Sequence, residues 1–252
     1  MTHHTLSWTP LEATSPQGAG SGGVRPVALV TGATRGIGRA VSDALAIDHH
    51  LLIGGTDPER TAEVAASYPS ARAWPVDLAN DSAVGAACSR IQRLDLLVHC
   101  AGVAAGGRID ETETAVWEQV FRVNVFAVAH LTRRLLPLLR KAGGQVVLIN
   151  SDAGFRSGPG GSVYAASKFA LRALADSLRE EERGSVRVTS IHPGPVDTDM
   201  QMALQERLGR PYDRGEHISP GAVAAAVRAA VDASPEAMIE SLTIRPAHDP
   251  ES

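Results

Sequence analysis

Short apolar runs alternate with amphipathic stretches along most of the chain. Runs of consecutive Val, Leu and Ile, such as VALVT at 27–31 and QVVLIN at 145–150, are typical of strands that are buried on both faces. The pattern predicts seven strands, at 27–31, 51–55, 71–77, 94–100, 145–150, 185–191 and 237–244. Helices are expected between them, at 36–47, from Asp57-Pro58 onward, and at 80–92, 112–141, 162–183 and 219–233.

Strand–helix alternation of this kind predicts an α/β fold. We expect a single-domain, doubly wound parallel sheet of about seven strands, with helices on both faces and right-handed crossovers. In such a sheet the ligand crevice lies beyond the carboxyl ends of the strands. The segments that directly follow the strands should therefore carry the chemistry.

The two ends of the chain do not share this pattern. Residues 1–24 are rich in Ser, Thr, Gly and Pro and end in GAGSGG, which predicts a flexible N-terminal tail. They lack a basic segment followed by an apolar one, so we do not expect a secretory signal. The predicted domain covers residues 25–246, and residues 247–252 are expected to form a C-terminal tail.

Composition narrows the class of protein. The chain has 252 residues, of which 44% are hydrophobic, and a formal net charge of −4. That length suits one domain, and the mild acidity argues against a nucleic-acid binder. No run is long enough to span a membrane, so no membrane association is expected. Two cysteines, Cys88 and Cys100, without metal-ligand spacing favour a cytoplasmic protein with no metal site.

A glycine-rich turn follows the first predicted strand and opens a helix. Gly32 permits a tight turn, Gly36 lets backbone N–H groups approach an anion, and Gly38 allows close helix–strand packing. This strand–turn–helix context predicts a dinucleotide pyrophosphate at the helix N-terminus, the alternative being a plain structural turn. The candidate cofactor-binding residues here are Gly32, Thr34, Arg35, Gly36, Ile37 and Gly38.

The TGxxxGxG spacing of this turn, together with YxxxK at 164–168, resembles the compact branch of the short-chain dehydrogenase/reductase family. The resemblance runs from about residue 26 to 246. It implies an NAD(P)-binding Rossmann fold and oxidoreductase activity. The extended branch, with epimerases and dehydratases, usually has TGxxGxxG and a C-terminal substrate domain, and this chain has neither.

The end of the second strand bears on which dinucleotide fits. An acidic residue there would bind the ribose 2′-hydroxyl of NAD and repel a 2′-phosphate, but the chain has Gly54, Gly55 and Thr56. Arg35 can bond a phosphate at two points. A basic residue in this slot goes with NADP in the family, so we expect NADP(H) in preference to NAD(H). Against this, Thr56 replaces a second basic residue that the family often has, and Arg35 can also be read as a solvated loop charge.

Further cofactor contacts follow from the resemblance alone. Asp77 and Leu78 would frame the adenine, although Asp77 can also be read as a helix N-cap, a role that Asn80 or Asp81 fits better. The remaining implied contacts, to the adenine ribose and the nicotinamide carboxamide, are Ala101, Gly102, Pro193, Gly194, Val196 and Thr198, with Thr56 near the 2′ position. Thr198 can also be the N-cap of the following helix.

The strand that ends at Cys100 departs from the family, which usually has Asn-Asn-Ala-Gly where this chain has His99-Cys100-Ala101-Gly102. We interpret His99 as a partly buried structural residue. Cys100 is interpreted as a small hydrophobic residue of the core.

Tyr164 and Lys168 are four residues apart in a helical pattern, so their side chains share one face. A nearby ammonium and the cation of an oxidised nicotinamide would lower the phenol pKa from about 10 toward about 7–8. Tyr164 would then act as a general acid in reduction and a base in oxidation. The resemblance implies that Tyr164 and Lys168 also contact the cofactor, Lys168 through the nicotinamide ribose hydroxyls.

Two more residues complete the candidate catalytic set. Ser151 ends the fifth strand and can donate a hydrogen bond to a substrate carbonyl oxygen. Asn124 lies inside a predicted helix. Asn is unfavourable in a helix interior, so its presence there indicates a specific role. The resemblance implies that it holds a water molecule that links Lys168 to solvent as a proton relay.

The substrate is the least constrained feature. Residues 199–218 lie where the family has a mobile substrate loop, and Met200, Met202, Ala203 and Leu204 are expected to form an apolar wall. Phe155 and Arg156 are further candidates for the pocket lining. A small or medium ketone, aldehyde or secondary alcohol would fit. The helices at 112–141 and 162–183 imply, by the resemblance, a homodimer or homotetramer.

The sequence therefore predicts an NADP(H)-dependent oxidoreductase that transfers a hydride between a nicotinamide and a carbonyl or secondary alcohol. The alternative is a dinucleotide-binding regulatory protein of the same fold with little turnover. The presence of Asn124, Ser151, Tyr164 and Lys168 together favours the enzyme.

Overall fold

The structure is a computed structural model that describes residues 24–207, 209 and 211–247, with residue 207 described by its backbone only. Apart from Val24 and Ala247, the predicted tails at 1–24 and 247–252 lie outside the described residues. Within the described part of the chain, no helix is both long enough and apolar enough to cross a membrane.

One parallel sheet forms the centre of the described structure. Its strands pair in the order β3-β2-β1-β4-β5-β6-β7. This confirms the predicted doubly wound α/β fold. The strands are β1 (Val27–Val30), β2 (His50–Gly55), β3 (Ala71–Pro75), β4 (Leu96–His99), β5 (Gln145–Ile149), β6 (Arg187–Pro193) and β7 (Ser241–Ile244).

Helices cover both faces of this sheet. One core cluster joins α3, α5 and α6 to the sheet, and a second joins α1, α2 and α8 to the opposite face. Alternate residues of β1 enter different clusters, Leu29 the first and Val30 the second, as the two-residue period of a strand requires. The helices are α1 (Gly36–Leu45), α2 (Pro58–Ala66), α3 (Asp81–Cys88), α4 (Thr114–Phe121), α5 (Ala127–Ala142), α6 (Ser162–Glu181), α7 (Asp199–Arg207) and α8 (Pro220–Val231).

The order in which strands are added to the sheet reverses at β1. Strands β2 and β3 lie on one side of β1, and strands β4 to β7 lie on the other side. Loops after β1 and β4 therefore diverge and leave a crevice at the carboxyl ends of the strands, where ligands of such sheets bind.

Some predicted elements differ from the structure in detail. The helix predicted at 112–141 is present as one helical segment from Thr114 to Ala142, but a π-helical turn at Arg122–Phe126 joins α4 to α5. Such a turn inserts an extra residue and is common at functional sites. The helix predicted at 80–92 ends at Cys88. The expected strand at 237–244 begins only at Ser241, because before that point the chain contacts β6 through side chains, as the Ile239 carbonyl does with the Thr189 hydroxyl and the Met238 sulfur with the Val188 N–H.

Candidate active site

A cleft of about 320 Å³ lies at the carboxyl ends of β1 to β4. It brings together most of the residues that the sequence predicts to bind a cofactor, namely Gly32, Thr34, Arg35, Gly36, Ile37, Gly38, Thr56, Asp77, Leu78, Ala101, Gly102 and Thr198. The other predicted cofactor contacts, Pro193, Gly194, Val196, Tyr164 and Lys168, are not part of its lining. The cleft thus follows the crevice that the strand order creates.

The turn after β1 has backbone geometry suited to an anion. Gly32 has a φ of +63°, and a Cβ atom there would lie 2.9 Å from the Ala101 Cα, so only glycine fits. Helix α1 begins at Gly36 with no side-chain cap and no acidic residue in its first turn. The first N–H groups and the positive end of the helix dipole therefore face the cleft with no carboxylate in the helix's own first turn. These features fit a dinucleotide pyrophosphate.

Thr31 is a residue of this turn that the sequence analysis missed. Its hydroxyl oxygen accepts hydrogen bonds of 3.1 Å from the backbone N–H groups of Cys100 and Ala101. It therefore ties the end of β1 to the end of β4, across the point where the two loops diverge. Its position directly before Gly32 was the only available sequence signal.

The end of β2 has no room for an acidic side chain at Gly55. A Cβ atom there would lie 2.6 Å from the Thr61 hydroxyl oxygen and 2.9 Å from a Thr34 methyl carbon. Thr56, the next residue, is exposed and lines the cleft. The carboxylate that would bind a ribose 2′-hydroxyl is therefore excluded from this position by packing.

Arg35 lies at the edge of the cleft with 73% of its side chain exposed, and its Nη1 is 3.6 Å from a carboxylate oxygen of Asp199. Asp199 is the first residue of α7 and lines the same cleft. The guanidinium is thus opposed by a carboxylate across the cleft, a pairing that the sequence did not indicate. Most of its N–H groups remain open to solvent.

Asp77, after β3, is exposed and lines the cleft. One of its carboxylate oxygens accepts a 2.9 Å hydrogen bond from the Ala79 N–H. The N-cap of α3 is Asn80, whose side chain accepts from the Ala83 N–H. The sequence interpretation of Asn80 as a better cap than Asp77 is confirmed.

Tyr164 and Lys168 lie one turn apart on α6, as predicted, and the Lys168 Nζ is 5.7 Å from the centre of the Tyr164 ring. Lys168 is buried, and its Nζ donates a 3.1 Å hydrogen bond to the Ile149 carbonyl. Burial lowers the pKa of Lys168 to about 8. The ammonium is therefore held between the end of β5 and the phenol.

In the polypeptide alone the pKa of Tyr164 is raised, and the lower pKa expected with a bound oxidised nicotinamide stays a prediction. Burial raises the pKa of the phenol above its usual value, and the negative charge of Asp152 raises it further. A hydrogen bond with Ser151 lowers the pKa but does not offset burial. In the protein by itself, Tyr164 is therefore a protonated phenol that can donate a proton.

Asn124 lies in the π-helical turn and is buried. Its side-chain oxygen accepts a 2.9 Å hydrogen bond from the Val103 N–H, and its Nδ2 donates to the Val103 carbonyl at 2.9 Å and to the Ser167 hydroxyl at 3.0 Å. Both amide protons are thus used within the protein. The side chain joins the loop after β4 to α6, and its expected role in holding a water molecule stays a prediction.

Ser151 lies two residues beyond the end of β5 and is held by backbone and side-chain contacts. Its hydroxyl oxygen accepts a 3.1 Å hydrogen bond from the Ala153 N–H and lies 3.3 Å from a carboxylate oxygen of Asp152. Its carbonyl oxygen is 3.1 Å from Nδ1 of the buried His192, at the end of β6. The sequence analysis assigned no role to His192 or to Asp152.

The two residues that depart from the family have different surroundings. His99 is more buried than expected, at 3% exposure, with its Nε2 2.9 Å from the Thr132 hydroxyl. Burial lowers the pKa of His99 to about 3, so it is uncharged at neutral pH. Cys100 packs against the core but also lines the cleft, and burial raises the pKa of its thiol to about 12.

The turn after β6 links the cleft to α7. The Thr198 hydroxyl donates to the Val196 carbonyl at 3.3 Å and accepts from the Gln201 N–H at 3.3 Å, so it caps α7 as one sequence interpretation proposed. Gly194 donates its N–H to the Ile244 carbonyl. These bonds fix the backbone on which the predicted carboxamide contacts depend.

A second cavity, of about 340 Å³, lies on the Tyr164 side of α6. Its lining is small or polar, consisting of Asp152, Ala153, Arg156, Ser157, Gly158, Gly161, Tyr164 and Ala165. Arg156 is there as expected, but Phe155 packs against His192 and Arg172 instead. The expected apolar wall is not part of this lining, which contains none of Met200, Met202, Ala203 and Leu204. Met200 lines the first cleft instead.

The family of the chain follows from comparison with known proteins. A sequence model described as short chain dehydrogenase matches residues 26–209. The chain belongs to the short-chain dehydrogenase/reductase family. It is accordingly an oxidoreductase.

Individual members of the short-chain dehydrogenase/reductase family resemble the chain over most of its length. Dehydrogenase/reductase SDR family member 11 of Bos taurus is 32% identical, over 87% of this chain and 95% of that protein. The 2,3-dihydro-2,3-dihydroxybenzoate dehydrogenase of Escherichia coli is 38% identical, over 69% of this chain and 71% of that protein. Among solved structures, the alcohol dehydrogenase of the archaeon Thermococcus sibiricus, complexed with 5-hydroxy-NADP, has a TM-score of 0.81 and 27% identity, covering 90% of this chain and 99% of the other.

Proposed function

We propose that the protein is an NADP(H)-dependent reductase or dehydrogenase that interconverts a small carbonyl compound and the corresponding alcohol. The observation that carries this proposal is the grouping of Tyr164, Ser151 and Lys168 beside a cleft shaped for a dinucleotide. When bound, the nicotinamide would supply or accept the hydride. The residues of the chain would hold the substrate oxygen and move its proton.

Binding of the dinucleotide is assigned to the crevice between the loops after β1 and β4. The open N-terminus of α1 would take the pyrophosphate, and Asp77 and Leu78 would border the adenine. Ala101 and Gly102 would contact the adenine ribose, while Pro193, Gly194, Val196 and Thr198 would orient the nicotinamide. Lys168 would bond the nicotinamide ribose hydroxyls.

NADP(H) is favoured over NAD(H) by two features. Packing around Gly55 excludes an acidic residue, and the exposed Arg35 guanidinium can form charge-assisted hydrogen bonds to a 2′-phosphate. The archaeal alcohol dehydrogenase that the chain resembles is complexed with an NADP derivative. Because Asp199 opposes Arg35, the phosphate would have to compete for the guanidinium.

The proton chemistry is assigned to α6 and the end of β5. The Ser151 hydroxyl would donate to the carbonyl oxygen of the substrate and stabilise the negative charge that develops there. Tyr164, protonated in the polypeptide alone, would deliver its proton to that oxygen as the hydride arrives. In oxidation the same phenol would accept the proton, with the Lys168 ammonium stabilising the phenolate.

Exposed aromatic residues support a proposal about assembly, and the cysteines support one about location. Phe126 and Phe169 are 53% and 41% exposed. On the helical segment that contains Phe126, the Phe121 ring stacks on Trp117 and is tilted against Phe126. We infer a homodimer through the α4–α5 and α6 faces, with a tetramer as a further step. Cys88 and Cys100 are both free thiols, which fits a reducing cytoplasm.

The test is NADPH and NADH oxidation by the purified protein in the presence of a panel of small ketones and aldehydes, with the alcohol product identified. The proposal predicts turnover with at least one carbonyl compound and a higher kcat/KM with NADPH than with NADH. Binding of NADPH without turnover of any member of the panel in either direction would instead support the regulatory alternative.

A further inference from the structure

Two oppositely charged side chains lie in the wall of the cavity that also contains Tyr164. Asp152 and Arg156 are joined by a 2.7 Å ion pair, with 18% and 62% of their side chains exposed. Asp152 also lies 3.3 Å from the hydroxyl oxygen of Ser151, through its other carboxylate oxygen. The carboxylate is therefore placed between the hydroxyl that would bind the substrate oxygen and a neutralising guanidinium.

The charge of Asp152 acts against the phenolate form of Tyr164, since it raises the pKa of the phenol. A full negative charge beside Ser151 would also oppose the charge that develops on a substrate carbonyl oxygen. Arg156 reduces both effects because a paired carboxylate has a weaker field at a distance than an isolated one. Exclusion of water by a bound substrate would strengthen each of these interactions.

Few other charged or titratable groups face Tyr164. Lys168 is on the same helix, and Cys100, at the end of β4, interacts electrostatically with Lys168 but is a neutral thiol. His192, at the end of β6, contacts the Ser151 carbonyl, and burial lowers the pKa of its imidazole. Arg172, on α6, donates to the Gly154 carbonyl and lies over the Phe155 ring. The carboxylate whose charge raises the pKa of the Tyr164 phenol is that of Asp152.

We propose that Asp152 and Arg156 form a charge pair that sets the proton affinity of Tyr164, with the carboxylate favouring the protonated phenol and the guanidinium limiting that effect. The proposal rests on the proposed function, because it assigns these residues to the general acid of that site. They are positioning residues, acting on the reacting atoms through Tyr164 and Ser151. The pair biases the site toward proton donation, which is the direction of carbonyl reduction.

The chain allows a direct titration of Tyr164 without a known substrate. It contains three tyrosines, and the pKa of Tyr68 is raised by burial and by Asp43, while that of Tyr212 is raised to about 12 by burial and by Asp197. The phenolate absorbance is followed against pH, with and without NADP⁺, for each variant. The same variant carrying Tyr164→Phe is subtracted, so that the difference reports Tyr164 alone.

The expected shifts have opposite signs. Asp152→Asn should lower the titration midpoint by about half a unit or more, the size that Coulomb's law gives for a nearby charge in a partly solvated site. Arg156→Gln should raise the midpoint, Arg156→Lys should restore it, and the double variant Asp152→Asn/Arg156→Gln should lie between the two single variants. Asp232→Asn, which removes one carboxylate from a distant ion pair with Arg228, is the matched control and should leave the midpoint unchanged.

Midpoints for Asp152→Asn and Arg156→Gln that equal the control, or that move in the same direction, would overturn the charge pair. The proposed function fails separately, if NADP⁺ does not lower the Tyr164 midpoint of the wild-type protein. The variants are compared in the absence of NADP⁺ as well, so the charge-pair proposal is decided even in that case.

Discussion

Asn124 and Val103 are joined by two hydrogen bonds of 2.9 Å, one in each direction between the side-chain amide and the backbone. The contact fixes the loop after β4 to the π-helical turn between α4 and α5. Since Val103 lines the dinucleotide cleft, the amide holds one wall of the proposed cofactor site in place.

Asn124→Ala should destabilise the protein by about 2–3 kcal/mol, because it leaves the Val103 N–H and carbonyl without their partner in a buried place. Urea unfolding at neutral pH measures this loss. Asn80→Ala, which removes an exposed cap of α3, is the comparison and should cost about 1 kcal/mol. Equal losses for the two variants would contradict the account of Asn124.

Two glycines in the left-handed backbone region allow the cost of backbone strain to be measured apart from the cost of a steric clash. Gly32 and Gly143 have φ values of +63° and +60°, but a Cβ atom on Gly143 would meet nothing within 4 Å. Gly143→Ala should therefore cost about 1–2 kcal/mol and leave NADPH binding unchanged. Gly32→Ala carries the same strain plus a clash with Ala101, so it should cost more and abolish NADPH binding. Urea unfolding and fluorescence titration with NADPH check both, and retained binding in Gly32→Ala would count against the proposed phosphate turn.

Arg35→Gln should raise the KM for NADPH by about tenfold or more, the value of a charge-assisted hydrogen bond to phosphate, and leave the KM for NADH unchanged. Asp199→Asn should lower the KM for NADPH, because it removes the carboxylate that competes for the guanidinium. Arg39→Gln, one turn further along α1, is the control for net charge and should change neither constant. If Arg35→Gln changed the KM for NADPH and the KM for NADH equally, Arg35 would not bind the 2′-phosphate.

His99 links stability to pH. Burial holds its pKa at about 3, below the value of about 6.5 in the unfolded chain, so the unfolded state binds more protons between these values. Its contribution is thus fully present above pH 6.5 and is lost as the pH falls toward 3. Between pH 7 and 5 the wild type should lose about 2 kcal/mol more than His99→Asn, measured by urea unfolding. Parallel losses for the two proteins would mean that His99 is not buried uncharged.

Most of the fold could be predicted from the sequence because buried parallel strands are continuous apolar runs. The β1 and β5 segments, VALV and QVVLI, are buried along their whole length, so their pattern is unambiguous. β7 is only half-buried at the sheet edge, and its start was placed four residues too early. The π-helical turn at Arg122–Phe126 has no signature in hydrophobic periodicity, because one inserted residue barely changes a helical pattern.

The candidate site was predicted through residues whose types carry the chemistry, such as Tyr164 with Lys168. Contacts that depend on tertiary packing were not accessible in the same way. The pairing of Arg35 with Asp199 joins residues 164 positions apart, and no local pattern indicates it. The raised pKa of Tyr164 likewise results from burial, which periodicity does not quantify at a single residue.

The most direct test of the central claim compares Tyr164→Phe with Tyr68→Phe. Tyr68 follows α2, and its hydroxyl donates a hydrogen bond to Asp43 on α1. The measurement is kcat/KM for a reactive carbonyl compound, with the Kd for NADPH determined on the same samples. The account predicts that Tyr164→Phe loses at least about 10²-fold in kcat/KM while its Kd for NADPH and the turnover of Tyr68→Phe stay near wild type. Wild-type turnover by Tyr164→Phe would contradict the assignment of Tyr164 as the proton donor.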